Sequence, residues 1–541
     1  MLFRLWFFAF LLVICSSMSV SIHAASTPRP TVQISQGVLQ GVKERGLAVY
    51  RGIPYAAPAI GALRWKPPMP ASGWQGTRDA SRFGPACVQP EIPASSIYFD
   101  PPPTTSEDCL TLNIYLPENA RDVPVIVWIH GGSLRIGSSG QPLSEGDELA
   151  RKGVVFVSIN YRLGALGWLA HPELSEQSVH KVSGNYGLLD QIAALRWVRD
   201  NIHAFGGDPG NVTIMGESAG ALSVTYLLSS PLARGLFHKA IAQSPNIRAV
   251  PELSQPVYGM KSAEEIGASL GRKLDKPTIE ALRTMDAQSL TDAATRNGFV
   301  SQGTIDGWAL KRQVVETFDA GEQAKVPLLA GFNSGELRSQ RAFVPPVPVS
   351  RELYEKAIRL GYGDLAPEFL RLYPSSDMEQ SMLDTLRDAI YGWASERLVR
   401  QQSREGQRAY LYIFDHCYQA ARKKDLCAFH ASELPFVFGK TGDAAKIPVN
   451  WPVPDEQAAR DLSQVIMDYW VLFAKTGAPS SDAGPPWQAY SEGQSYLHFG
   501  ERPFAASDPL HGMFEMQEEF VHRRRKAGRQ WFIDVGIRAG R

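Results

Sequence analysis

The chain has no excess charge of either sign: 55 Lys and Arg balance 55 Asp and Glu over 541 residues. Without a net field, nothing draws it to a nucleic-acid backbone or an anionic lipid surface, and neither partner is expected. Long hydrophobic runs are missing as well. The apolar stretch at residues 5–15 falls well short of the ~20 residues a spanning helix requires, so the mature chain is expected to have no membrane span. Internal repeats and low-complexity linkers are absent, which excludes a solenoid or a string of modules and favours one folded unit. Cysteine is scarce, with five in the whole chain.

What is present starts at the N-terminus. Arg4 precedes the apolar stretch, and small and polar residues follow it as far as Ala24 and Ala25. This is the layout of a secretory signal peptide over residues 1–24, with residues 25–541 as a single mature domain that is secreted or periplasmic. Ile14 is too bulky, just before Cys15, to favour lipidation there. Removing the leader leaves Cys87, Cys109, Cys417 and Cys427, an even number in an exported chain, so two disulfides are expected. Four cysteines allow three pairings. Joining Cys87 to Cys109 and Cys417 to Cys427 closes the shortest loops and is the simplest.

Residues 125–129, 154–159, 212–215 and 326–330 are short, apolar on both faces and rich in β-branched side chains, as buried parallel strands must be. Leu188, Ile192, Leu195, Val198 and Ile202 recur at helical spacing between two of them. The expected class is therefore α/β, a mostly parallel sheet flanked by helices and joined by right-handed crossovers. Residues 253–297 and 351–403 carry weaker helical patterns and are expected to form helical cap insertions. Residues 523–526, three Arg and a Lys, are expected to lie on a solvated helix face, with a binding patch as the alternative.

The chemistry centres on Gly216-Glu217-Ser218-Ala219-Gly220. A Gly-x-Ser-x-Gly match is weak alone, but this one follows an apolar strand and opens a helical run. That is the strand-turn-helix setting in which a serine hydroxyl is exposed at the end of a sheet. Such a serine needs a base and an orienting carboxylate later in the chain. Glu336 is the best acid, because residues 326–330 deliver it to a loop at a strand end; Asp306 reads as a turn residue and Asp319 as a helical one. Of the five later histidines, His430 sits in the loop after a strand at residues 410–414, whereas His416 lies at that strand's edge. His130-Gly131-Gly132-Ser133 follows residues 125–129, where backbone amides of Gly132 and Ser133, with that of Ala219, can face a tetrahedral oxyanion.

With these residues in place, the chain resembles the type-B carboxylesterase family, which includes the cholinesterases, over residues 32–504. The stretches that carry the resemblance are Arg51-Gly52-Ile53-Pro54-Tyr55-Ala56, Ser106-Glu107-Asp108-Cys109-Leu110, Gly184-Asn185-Tyr186-Gly187-Leu188-Leu189-Asp190-Gln191 and Glu433-Leu434-Pro435-Phe436-Val437-Phe438-Gly439. The resemblance implies an α/β-hydrolase fold, a Ser218, Glu336, His430 triad, oxyanion donors at Gly132, Ser133 and Ala219, a Cys87 to Cys109 disulfide, and a small-molecule ester as substrate. It implies no cofactor and no metal.

Two departures bear on specificity. Many relatives have a third glycine where this chain has Ser133, and Phe99 stands where cholinesterases place a cation-binding tryptophan, which disfavours choline esters. Phe99 and Leu134 are taken as substrate contacts. Cys417 and Cys427 lie outside the common family pattern, so their pairing rests on export alone. Arg338 and residues 422–424 could draw in a polycarboxylate ester, or could be solvated surface charge. The rival to an esterase is a non-catalytic adhesion protein of the same fold, but that would have lost the triad, whose three residue types are all present.

Overall fold

The computed structural model describes residues 29–442, 445–491 and 493–540, so the signal peptide expected at residues 1–24 lies outside the described residues. Its centre is an eleven-stranded sheet. In chain order the strands are β1 (Val42–Glu44), β2 (Leu47–Pro54), β3 (Thr111–Pro117), β4 (Val123–Ile129), β5 (Val155–Ile159), β6 (Gly207–Glu217), β7 (Lys239–Gln243), β8 (Leu328–Asn333), β9 (Ala409–Phe414), β10 (Tyr496–Phe499) and β11 (Pro503–Ala506). In space they run β11-β10-β9-β8-β7-β6-β4-β5-β3-β2-β1. Neighbours are parallel from β5 across to β10 and antiparallel at both edges.

Every residue of β5, β7, β8 and β9 is buried. The alternation of side chains along β4 explains why: Val125, Val127 and Ile129 enter the apolar cluster on one face, and Ile126 and Trp128 the cluster on the other. Helices α1 (Tyr186–Asn201) and α2 (Ala219–Ser229) belong to the first cluster, and α3 (Gln457–Thr476) to the second. Sandwiched this way, the strands have no solvent face, and their sequence runs apolar without a break.

Residues 253–297 and 351–403 are helical, as expected, but the last helix there, Trp393–Arg404, is not part of a cap. It buries Trp393, Ala394, Leu398 and Val399 and packs on β8 and β9, because an apolar stripe of that size needs the sheet to cover it. The basic segment lies on α4 (Met513–Lys526) and does not form a free patch. Arg523 pairs with Asp364, Arg525 with Asp319 at 2.8 Å, and Arg524 is buried against the carbonyls of Gln530 and Ala539. Among the described residues no helix is long and apolar enough to cross a membrane.

Candidate active site

Strand β6 runs straight into the turn that holds Ser218, and α2 begins one residue later. The turn is tight. Ser218 has φ 55° and ψ −117°, a strained conformation of the kind that functional sites keep at a cost of about 1–3 kcal/mol. A Cβ at Gly216 would lie 2.4 Å from the carbonyl carbon of Gly220, and one at Gly220 would lie 2.0 Å from the Ile129 oxygen. Only glycine fits either place. The Ser218 amide is anchored to the neighbouring strand through the Gln243 carbonyl at 2.9 Å, and its hydroxyl stands over the positive end of α2.

Glu336 follows β8 in a short turn and is fully buried. One carboxylate oxygen accepts from Ser244 Oγ at 2.6 Å and from the Asn333 amide at 2.9 Å. The other accepts from His430 Nδ1 at 2.5 Å, and His430 Nε2 accepts from Ser218 Oγ at 2.8 Å. Three residues from three loops at the carboxyl ends of β6, β8 and β9 thus form one continuous relay. The rival residues are occupied elsewhere: Asp306 accepts the amides of Trp308, Ala309 and Leu310, Asp319 pairs with arginines, and His416 is buried against Phe436.

The loop after β4 lies directly against this turn. A Cβ at Gly131 would be 2.9 Å from the Glu217 carbonyl oxygen and 3.4 Å from Ser218 Cβ. Gly132 has φ 100°, and a Cβ there would strike the Ile136 oxygen at 2.1 Å. Ser133 and Leu134 follow at φ 58° and 57°, left-handed without being glycine. Neighbours hold the loop: Tyr161 donates to the His130 carbonyl at 2.8 Å and stacks on the His130 ring, and the Leu134 carbonyl accepts from the Gly164 amide at 2.9 Å. Among the described residues, the amides of Gly132, Ser133 and Ala219 donate to no protein acceptor.

Residues 28–517 match the model of the carboxylesterase family. The chain belongs to the carboxylesterase family. It is 36% identical over 88% of its length to a fumonisin B1 esterase of Sphingopyxis macrogoltabida, covering 88% of that protein. It is also 36% identical to a para-nitrobenzyl esterase of Bacillus subtilis, over 85% of this chain and 92% of the other. A solved para-nitrobenzyl esterase structure superposes with a TM-score of 0.78 at 32% identity, over 91% of this chain and 99% of that one. The fold is the α/β-hydrolase fold, and the protein is a carboxylic-ester hydrolase.

This carboxylesterase surrounds His430 with more acid than the sequence reading identified. Glu217, the residue before Ser218, is buried, and its Oε1 lies 3.2 Å from His430 Nε2 with no hydrogen bond from the described residues. Glu433 is buried too and accepts from Asn333 at 2.6 Å and from Gln243 at 3.0 Å. Burial raises both carboxyls above the ordinary range. Burial also pulls His430 down, but the facing charges of Glu217, Glu336 and Glu433 outweigh it and raise the imidazole above its usual value. Glu217 and His430 therefore titrate as a pair. A proton on Glu217 weakens the field that raises His430 and leaves Nε2 free to accept from Ser218. Neither glutamate follows any periodicity: Glu433 lies three residues after His430, but only the fold brings Glu217 against the imidazole. The same holds for Tyr391, whose ring packs 5.0 Å from that of His430 from a π-helical turn, a feature common at functional sites.

A cavity of about 320 Å³ opens over Ser218 and His430. Gly132, Ser133, Arg135, Ile136, Tyr98 and Trp451 contribute to its wall. Phe99 is half-buried and does not line it; its neighbours Tyr98 and Asp100 do. Leu134 does not line it either, because its side chain is fully buried in the apolar core beneath the loop. Arg338 is paired with Asp425 at 2.5 Å, Lys424 donates to the Asn450 carbonyl, and none of Arg338, Arg422, Lys423 and Lys424 lines the cavity. Disulfides join Cys87 to Cys109 and Cys417 to Cys427.

Proposed function

We propose that this carboxylesterase works through an acyl-enzyme on Ser218. His430 Nε2 takes the serine proton as Oγ attacks the ester carbonyl, and Glu336 holds the imidazole and stabilises its cation. The amides of Gly132, Ser133 and Ala219 receive the developing oxyanion, each worth about 2.7–4 kcal/mol of barrier. The proton on Nε2 then goes to the departing alcohol, and water, activated by the same nitrogen, releases the acid. The observation that carries this reading is the unbroken relay from Ser218 through His430 to Glu336, at 2.8 and 2.5 Å. It also argues against a binding protein of the same fold, in which nothing would maintain a strained serine and a buried carboxylate. Ser218→Ala should abolish hydrolysis of an aryl ester and stoichiometric labelling by a fluorophosphonate, with the circular dichroism unchanged. Retained turnover would sink the assignment.

The cavity, at about 320 Å³, suits an ester with a bulky acid or alcohol portion. Arg135 is the one arginine or lysine on its wall, which also carries His430 and the carboxyls of Glu91, Asp100 and Glu217. A polycarboxylate ester is therefore read through Arg135 rather than through Arg338 or residues 422–424. The leader and the two disulfides support export of residues 25–541 as one catalytic unit. Mass analysis of the exported protein should show an N-terminus at Ala25, and an intact Met1 would refute the cleavage.

A further inference from the structure

Between β9 and His430 the chain takes a detour. It leaves the sheet at Phe414, passes through a short helix at Gln419–Arg422 and returns to Cys427, three residues before His430. The ends of the detour are joined by the Cys417 to Cys427 disulfide, whose Cα atoms are 4.6 Å apart. Inside it, the Leu426 amide donates back to the Ala421 carbonyl at 2.9 Å, and Arg422 donates to the Cys417 carbonyl at 3.2 Å.

The returning segment docks on the turn that carries Glu336. The Ala428 carbonyl accepts from the Gly335 amide at 3.0 Å, and the Phe429 carbonyl accepts from Asn333 Nδ2 at 2.9 Å. The Cys427 carbonyl is packed so closely that a Cβ on Gly335 would lie 2.0 Å from it. On the outside, Arg338 of the Glu336 turn reaches Asp425 of the loop at 2.5 Å. The backbone around His430 is also one that alanine rarely adopts: Ala428 has φ 45° and Ala431 has φ 69°. Such conformations persist only where the surroundings over-determine them.

We propose that the Cys417 to Cys427 disulfide is a positioning device for the catalytic histidine. By closing the loop it fixes residues 427–431 against the Gly335 and Glu336 turn, and so sets the angle at which His430 Nδ1 meets the carboxylate. The inference rests on the Ser218, His430, Glu336 reading above. No residue from Cys417 to Cys427 lines the cavity over Ser218. The two disulfides differ in access, since Cys87 and Cys109 are buried whereas Cys417 and Cys427 are half-buried. A dithiol reductant therefore opens the second one first: it supplies two electrons and two protons, the S–S bond becomes two thiols, and the reductant leaves as its own cyclic disulfide.

The test uses the full exported chain in two forms: the Cys417→Ser/Cys427→Ser double variant, and the parent protein after mild dithiol treatment, with alkylation mapping the free thiols to Cys417 and Cys427. In both, kcat for a neutral aryl ester should fall about ten- to a hundredfold, as small misplacements of a catalytic group do, while KM moves less than about threefold. The acid limb of the kcat/KM profile should shift to lower pH, because a loosened Glu336 contact no longer raises His430 as far. Reoxidation should restore the parent values. Free thiols at both positions with unchanged kcat and an unchanged acid limb would overturn the inference and leave the triad standing. Loss of near-ultraviolet circular dichroism in both forms would also overturn it, since the bond would then hold the whole fold rather than the histidine. Turnover by Ser218→Ala would instead remove the triad reading itself.

Discussion

At Glu217 the residue before Ser218 becomes a second acid beside the proposed base, 3.2 Å from His430 Nε2 and without a hydrogen-bond donor among the described residues. When it is ionised, its negative charge favours the imidazolium and so works against the neutral base. Glu217→Gln removes that charge while keeping the shape. His430 should then lose its proton at lower pH, and the acid limb of the kcat/KM profile should move down the pH axis; a limb that stays or moves up would contradict the pairing. That Ser218, Glu336 and His430 lie together was legible in the sequence, because a hydroxyl proposed as nucleophile calls for a base and an acid. Glu217, Ser244 and Tyr391 were not, since what brings them to the histidine is the meeting of separate loops; Glu433 is three residues from His430, but its hydrogen bonds to Asn333 and Gln243 come only with the fold.

The strands were legible because a covered parallel sheet demands apolar residues on both faces, and residues 125–129 and 154–159 fall on β4 and β5. Strand β7, Lys239–Gln243, was not, since its two ends are a lysine and a glutamine that only tertiary partners make tolerable. Helix α1 illustrates a different limit. Its apolar stripe was clear, but the role of Asp190 was not: it meets Arg162 in a bidentate pair at 2.7 Å with both side chains buried. Asp190→Ala would strand a buried guanidinium and should cost about 3–5 kcal/mol. A denaturant midpoint equal to that of the parent would refute this. The reading of the helix Trp393–Arg404 as part of a cap failed for a related reason: amphipathicity shows that a face is covered, not by what.

Over the whole molecule the formal charges cancel, so any steering of substrates must come from local charge at the cavity. Salt should leave kcat/KM for a neutral ester flat. For an ester with a free carboxylate it should fall as salt rises, through screening of Arg135, and Arg135→Ala should flatten that slope. Equal slopes for the two esters would remove the anionic reading. The sequence alone determined the layered α/β class and pointed to Ser218, Glu336 and His430 as the proposed triad, because patterning and mechanism constrain residue type and order. The tertiary structure decided which side chains share the site. It seated Leu134 in the core and put Arg135, not Arg338, on the cavity wall. It also set Glu217 beside His430 and tied a disulfide loop to the acid's turn, since distances between loops are fixed by packing and are written in no single segment.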